Sequence, residues 1–147
     1  MSTDDDRYEI VWLVRRLFRA FGQKADERLQ DRGISAADRA ILEFLYPDQG
    51  LSVPEIARKY QVSRQHVQVT INSLSEKGLV SSEENPRHKR SPLMRLTKQG
   101  RSLFASVLKN DKQVIDALFS DIPARDVTTT RETLRRLLET LNEESKP

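Results

Sequence analysis

The sequence contains no cysteine, and only two histidines (His66 and His88), one tryptophan and five glycines are spread over its 147 residues. Without cysteine there are no disulfides, no thiolate metal ligands, no cysteine nucleophile and no thiol redox sensing. Two isolated histidines do not make a histidine-rich metal centre, so no metal and no other cofactor is expected. The glycines stand apart at positions 22, 33, 50, 78 and 100, so no glycine-rich loop is available to cradle a phosphate. No apolar run approaches membrane-spanning length, and the opening MSTDDDRYE is acidic where a signal peptide would be basic. The expectation is a soluble, cytoplasmic chain with no membrane partner, of a length that suits one domain.

Excess charge is also nearly absent, at +3 overall, but its distribution is uneven. Residues 1–53 carry 8 basic and 10 acidic side chains, residues 54–101 carry 10 and 4, and residues 102–147 carry 7 and 8. The positive excess therefore lies in the middle third. Between Asn85 and Arg101 there are six basic residues (Arg87, Lys89, Arg90, Arg95, Lys98 and Arg101) and no acidic one. A block of this kind is either a solvated basic loop or an anion-binding surface.

Residues 8–30 repeat apolar side chains at helical spacing (Ile10, Leu13, Val14, Leu17, Phe21, Ala25, Leu29), and Val11, Trp12 and Phe18 widen the stripe beyond what one small core needs. Gly33 closes this helix. Ser35 with Asp38 forms a capping box for the next, which ends at Tyr46-Pro47. Ser52 with Glu55 forms a second box, with Pro54 in the tolerant first turn. After a break at Gln61-Val62, Ser63 caps a helix carrying Val67, Ile71 and Leu74, closed by Gly78. Two short helices with so tight a joint read as helix-turn-helix. Two strands, Leu79–Glu83 and Leu93–Leu96, then flank the basic stretch as a wing. Thr97 caps a long helix, and after Pro123 a last helix carries Val127, Leu134, Leu137, Leu138 and Leu141.

With Val67, Ile71 and Leu74 facing the core, Arg64, Gln65, Gln68, Val69 and Asn72 point away from it, with Ser63 and His66 near the helix start. Arginine pairs with guanine edges and glutamine or asparagine with adenine edges, and the first two turns hold no acidic residue. Double-stranded DNA is therefore the expected partner. Arg90 is the first candidate for insertion into a narrow minor groove, whereas Arg87 and Lys89 equally suit phosphate contacts or a flexible basic loop. Arg95, Lys98 and Arg101 suit backbone contacts, intrahelical pairs or solvent. Both histidines fall within this surface, which leaves none for a catalytic set. No enzyme is expected. A winged helix used only for protein contacts is the alternative, although such modules often lose the basic wing.

The residues Ser52-Val-Pro-Glu-Ile-Ala57, Val62-Ser63, Leu74-Ser-Glu-Lys-Gly-Leu-Val80, Asn85-Pro-Arg-His-Lys-Arg90 and Leu96-Thr-Lys-Gln-Gly100 together resemble the MarR family of winged-helix transcriptional regulators. The resemblance spans nearly the whole chain. It departs from the family at His88, where the wing usually has an acidic residue that braces the wing arginine. The implied architecture is mainly α: a winged helix-turn-helix (three-helix core plus two-stranded β wing) over 35–97, flanked by dimerisation helices over 5–32 and 98–143, in one domain of 1–147. The implied function is a homodimeric repressor on a palindromic operator, with Ile10, Leu13, Leu17, Leu134, Leu137, Leu138 and Leu141 as interface candidates; about half of these are expected to cross the dimer and the rest to complete the monomer core. Many members release DNA when a small aromatic or anionic effector binds between the dimer helices and the winged lobe. Here Trp12, Phe18, Phe21, Phe44, Tyr46 and Phe104 could line such a cavity, with Arg15 or Arg16 meeting a carboxylate. The same aromatics also suit a core, so both readings are open.

Overall fold

The computed structural model describes residues 3–144. Its elements are α1 (Thr3–Gln30), α2 (Ala36–Leu45), β1 (Leu51–Ser52), α3 (Val53–Tyr60), α4 (Arg64–Glu76), β2 (Val80–Glu83), β3 (Leu93–Leu96), α5 (Lys98–Leu118) and α6 (Ala124–Glu144). The chain divides after Ala105 into two compact units.

In the first unit the expected local signals have formed. Ser35 Oγ accepts from the Asp38 N–H at 3.1 Å, while Asp38 Oδ2 accepts from the Ser35 N–H at 2.9 Å, so the α2 capping box is complete. Asp38 is buried, and the same Oδ2 accepts from Lys77 Nζ at 2.8 Å. The start of α2 is thereby tied to the end of α4. Ser52 and Glu55 form the second box at the start of α3. The turn between α3 and α4 holds Gln61 at φ 58, a left-handed conformation that non-glycine residues adopt at some cost. Ser63 Oγ then accepts from the His66 N–H at 3.0 Å and opens α4.

The core sits where α2, α3 and α4 pack together: Ile41, Leu42, Leu45, Ile56, Val67 and Leu74 have no measurable exposure. Phe104, near the start of α5, is also buried, with Tyr46 edge-on to it at 5.2 Å. Phe104 is therefore a core side chain and not a lining residue of an open cavity.

Three details differ from the sequence expectation. The first helix begins at Thr3, since Asp4, Asp5 and Asp6 in its first turn suit the positive end of a helix dipole. The first wing strand begins at Val80 because Leu79, following Gly78 at φ +71, still belongs to the turn. The sheet has three strands rather than two, in the order β1-β3-β2 and antiparallel throughout. Leu51 pairs with Met94 and Ser52 with Leu93, so the extended entry into α3 closes the far edge of the wing. Met94 and Leu96 point into the core, and Arg95 lies on the other face.

The motif Leu96-Thr-Lys-Gln-Gly100 locks the sheet to α5. Thr97 Oγ1 donates to the Gly78 carbonyl at 2.7 Å and accepts from the Gly100 N–H at 3.0 Å. The Thr97 N–H donates to the Leu79 carbonyl at 3.0 Å. This explains why the Lys-Gly-Leu-Val and Leu-Thr-x-x-Gly pieces occur together: they are the two halves of one joint.

The first unit also carries α1, whose side chains at Ile10, Leu13, Val14, Leu17, Phe18 and Phe21 are all exposed. In the second unit, described from Ser106 onward, Pro123 ends the connection and its carbonyl accepts from the Asp126 and Val127 N–H groups as α6 begins. No described residue of α6 is buried.

Candidate nucleic-acid interface

The surface around α4 follows from its core face. With Val67, Thr70, Ile71 and Leu74 buried, the 3.6-residue period turns Arg64, Gln65, Gln68, Val69 and Asn72 outward, and all five are exposed. Gln68 Nε2 donates to Asn72 Oδ1 at 2.9 Å. Val69 is 63% exposed, a large apolar side chain left to solvent. His66 is exposed too, but its ring lies 6.2 Å from Tyr60, toward the aromatic neighbour and away from the amide-bearing face. Ser63 has its Oγ engaged as the α4 cap.

The wing is braced by Asn85. This buried side chain donates from Nδ2 to the Ser91 carbonyl at 2.8 Å and accepts at Oδ1 from the Arg87 N–H at 3.1 Å, while its own carbonyl accepts from the His88 N–H at 3.3 Å. One residue thus holds both sides of the wing turn through backbone groups. Replacing Asn85 with alanine is expected to cost about 1–2 kcal/mol of stability, since two side-chain hydrogen bonds to buried or half-buried backbone groups are lost. Amide hydrogen exchange would show it as faster exchange at Arg87 and His88, with the core amides of α2 and α4 little changed.

Two clefts join the wing to the helix-turn-helix. The first, about 630 Å³, is lined by Ser52, Pro54, Glu55, Arg58, Arg64, Asn85, Arg87 and His88 among others. Four of these are basic or imidazole side chains, and Glu55 is the one carboxylate. The hydrogen bonds from the Ser52 backbone and hydroxyl hold Glu55 below the usual carboxylate range, and Arg58 and Arg87 add to this. Its charge is thus committed to the α3 cap. The second cleft, about 380 Å³, brings Arg64, Gln65 and Gln68 of the helix together with Arg90 of the wing. Lys89 is exposed at the wing tip and lines neither cleft.

Arg95 serves the fold. It bonds Glu83 across the sheet and the Asp48 carbonyl at 2.9 Å, with the Asp48 carboxylate at 3.5 Å. The Glu83 hydrogen bond raises its already high pKa further. Arg101 joins the same cluster, 3.9 Å from Asp48 and donating to the Leu96 carbonyl at 3.3 Å. Neither the Arg95 partnership nor the role of Arg58 was legible in the sequence. Asp48 and Arg95 are 47 residues apart, and Arg58 reads there as an ordinary solvent-facing position of α3. Arg58 and Arg64, six positions apart on either side of the α3–α4 turn, would have been the signal.

The effector candidates do not come together as one site. Trp12 and Arg15 share a shallow depression on α1 with Tyr8 and Val11, and Arg16 lies over the Trp12 ring at 4.7 Å. Phe44 packs on Tyr60 at 6.0 Å, at the α2–α3 contact. Among the described residues no group of three or more His, Asp or Glu side chains is placed to hold a metal. Among the same residues no helix is long and apolar enough to cross a membrane.

A three-helix core with a β wing, two basic clefts between the wing and the helix-turn-helix and an amide-bearing outward face on α4 define a winged helix-turn-helix protein. The MarR family pattern matches residues 32–91. An uncharacterized protein of Mycobacterium tuberculosis is 32% identical over 138 residues, covering 92% of this chain and 96% of that one. The chain belongs to the MarR family of transcription regulators and is not an enzyme. Its fold is similar to the crystal structure of the MarR family transcription regulator SP03579, with TM-score 0.85 and 23% identity over 97% of this chain and 96% of that one. It is also similar to the Staphylococcus aureus MepR–DNA complex, with TM-score 0.74 and 23% identity over 88% and 96%.

Proposed function

We propose that this protein is a homodimeric repressor that binds a palindromic DNA operator and is released from it by a small aromatic or anionic effector. The observation that carries the DNA-binding part is the cleft in which Arg64, Gln65 and Gln68 of α4 meet Arg90 of the wing. The Gln65 and Gln68 amides there lie beside the Arg64 and Arg90 side chains, an arrangement that suits a helix in the major groove and a wing over the adjoining backbone. On this reading Arg64, Gln65, Gln68 and Val69 form the helix contacts, with Ser63 and His66 at the helix start facing phosphates and Asn72 on the same face one turn behind Gln68, and Arg87, Lys89 and Arg90 form the wing contacts. The fold shared with a DNA-bound relative supports the same assignment.

Segments 5–32 and 98–143 act as dimerisation helices in this reading, and 35–97 as the DNA-binding lobe. The exposed apolar side chains of α1 and α6 support it, because a lone chain gains nothing by leaving Leu17, Leu138 and Leu141 in water. An effector would meet Trp12, Arg15 and Arg16 of α1, whose ring and guanidinium groups suit an aromatic acid, with Phe44, packed on Tyr60, outside that group.

Titrating duplex binding against salt tests the reading. Each phosphate contact contributes close to one unit to the slope of log affinity against log salt. Wild-type affinity is expected to fall steeply with salt. Arg90→Ala is expected to bind more weakly, with a slope flatter by about 1 if its contact is to phosphate. A protein-interaction module would bind no duplex even at low salt. Unchanged affinity and slope in Arg90→Ala would remove the wing from the mechanism.

A further inference from the structure

Gln68 and Asn72 stand one helical turn apart on the exposed face of α4, joined by the hydrogen bond from Gln68 Nε2 to Asn72 Oδ1 at 2.9 Å. An exposed amide pair at this spacing adds only a few tenths of a kcal/mol to a helix, so stability gives little reason for it. Its consequence for recognition is larger. A glutamine amide has two N–H groups and one oxygen. Donation of one N–H to Asn72 leaves the other N–H and Oε1 for a second partner. A donor and an acceptor side by side match the N7 acceptor and N6 amino group that adenine presents in the major groove. Guanine, with two acceptors there, offers nothing for Oε1 to accept from.

The two residues are not interchangeable. Gln68 lies nearer the N-terminal end of α4, the end that reaches base edges in a docked recognition helix, and it lines the cleft shared with Arg90. Asn72 is one turn further back, has the shorter side chain, and already uses Oδ1 to accept from Gln68.

Building on the DNA-binding reading above, we propose that Gln68 reads one adenine in each half-site through N7 and N6, and that Asn72 is a positioning residue that holds the Gln68 amide in its reading orientation. Fixing a flexible side chain before binding lowers the rotamer entropy lost on the DNA, worth roughly two- to tenfold in affinity.

The test uses the full-length protein and a palindromic duplex selected by it from random sequences. Each symmetric pair of adenines is replaced in turn by 7-deazaadenine, which loses N7 but still pairs with thymine. At one adenine pair the wild type is expected to lose roughly five- to 150-fold in affinity, the range of one bidentate contact. Gln68→Ala is expected to bind the natural duplex more weakly than the wild type and to lose nothing further at that deaza substitution. Asn72→Ala is expected to bind the natural duplex roughly two- to tenfold more weakly, and to have no additional effect when combined with Gln68→Ala. A cost of Asn72→Ala that persists in the Gln68→Ala background would overturn its positioning role. Tight, sequence-selective binding with no deaza-sensitive adenine would overturn the adenine contact while leaving the DNA-binding reading intact. Failure of the wild type to bind any duplex at low salt would overturn both.

Discussion

Gly100→Ala is expected to destabilise the winged-helix unit by about 3 kcal/mol, toward the upper end of what overpacking costs. A Cβ on Gly100 would overlap the Leu79 carbonyl oxygen and lie 3.0 Å from its carbon. Those atoms are backbone, and the same carbonyl accepts from the Thr97 N–H at 3.0 Å, so it cannot turn away without breaking the joint between the sheet and α5. Substitution at Gly50 gives the contrast. Its Cβ would come nearest to the Arg95 guanidinium, at 3.0 Å, the far end of a long side chain, and is expected to cost about 1 kcal/mol or less. Urea unfolding of the two variants separates the cases. Equal midpoints would show that the Gly100–Leu79 approach is not a constraint on the fold.

The second large effect concerns assembly. Leu134, Leu137, Leu138 and Leu141 fall within about 100° of arc on α6, given the 100° step of a helix, and all four are exposed. Leu138→Glu combined with Leu141→Glu places two charges in that stripe without touching a buried residue, and glutamate is a good helix former. The expected protein is folded, monomeric by sedimentation, and more than roughly 100-fold weaker on the operator, since linking two half-site contacts is worth about 10² to 10⁴ in affinity. A variant that stays dimeric would move the interface off α6. A monomer that binds the operator as tightly as the wild type would remove the need for two half-sites.

How much of this was legible in the sequence depended on the range of each interaction. The capping boxes at Ser35/Asp38 and Ser52/Glu55 involve residues three apart, and both formed as expected. The turn at Gly78 and the core periodicity of α4 are equally local. The strand β1 was not legible, because two residues carry no alternation and their partners Leu93 and Met94 lie some forty positions away. The Lys77–Asp38 bridge spans 39 positions and ties α2 to α4 only once the helices have packed. Asn85 appeared in the sequence as part of a motif, but its reach to the Ser91 carbonyl depends on the wing turning back on itself.

The aromatics divide in the same way. Phe104 is core and Phe44 packs on Tyr60, whereas Trp12 and Phe18 remain exposed on α1, at 56% and 79%. Composition could not separate these groups, since an aromatic at helical spacing suits a core, an interface and a ligand wall alike. Charge was legible early. Of the ten basic residues in the middle third, Arg58, Arg64, Arg87 and Arg90 line the two clefts beside α4, whereas Lys77, Arg95 and Arg101 pair with Asp38, Glu83 and Asp48 within the fold.

Selection of bound sequences from a pool of random duplexes decides whether this protein reads two DNA half-sites. The expected result is enrichment of an inverted repeat whose half-site centres lie about one helical turn apart, roughly 34–36 Å. A pool that shows no enrichment, from a protein that retains no duplex at low salt, would contradict it.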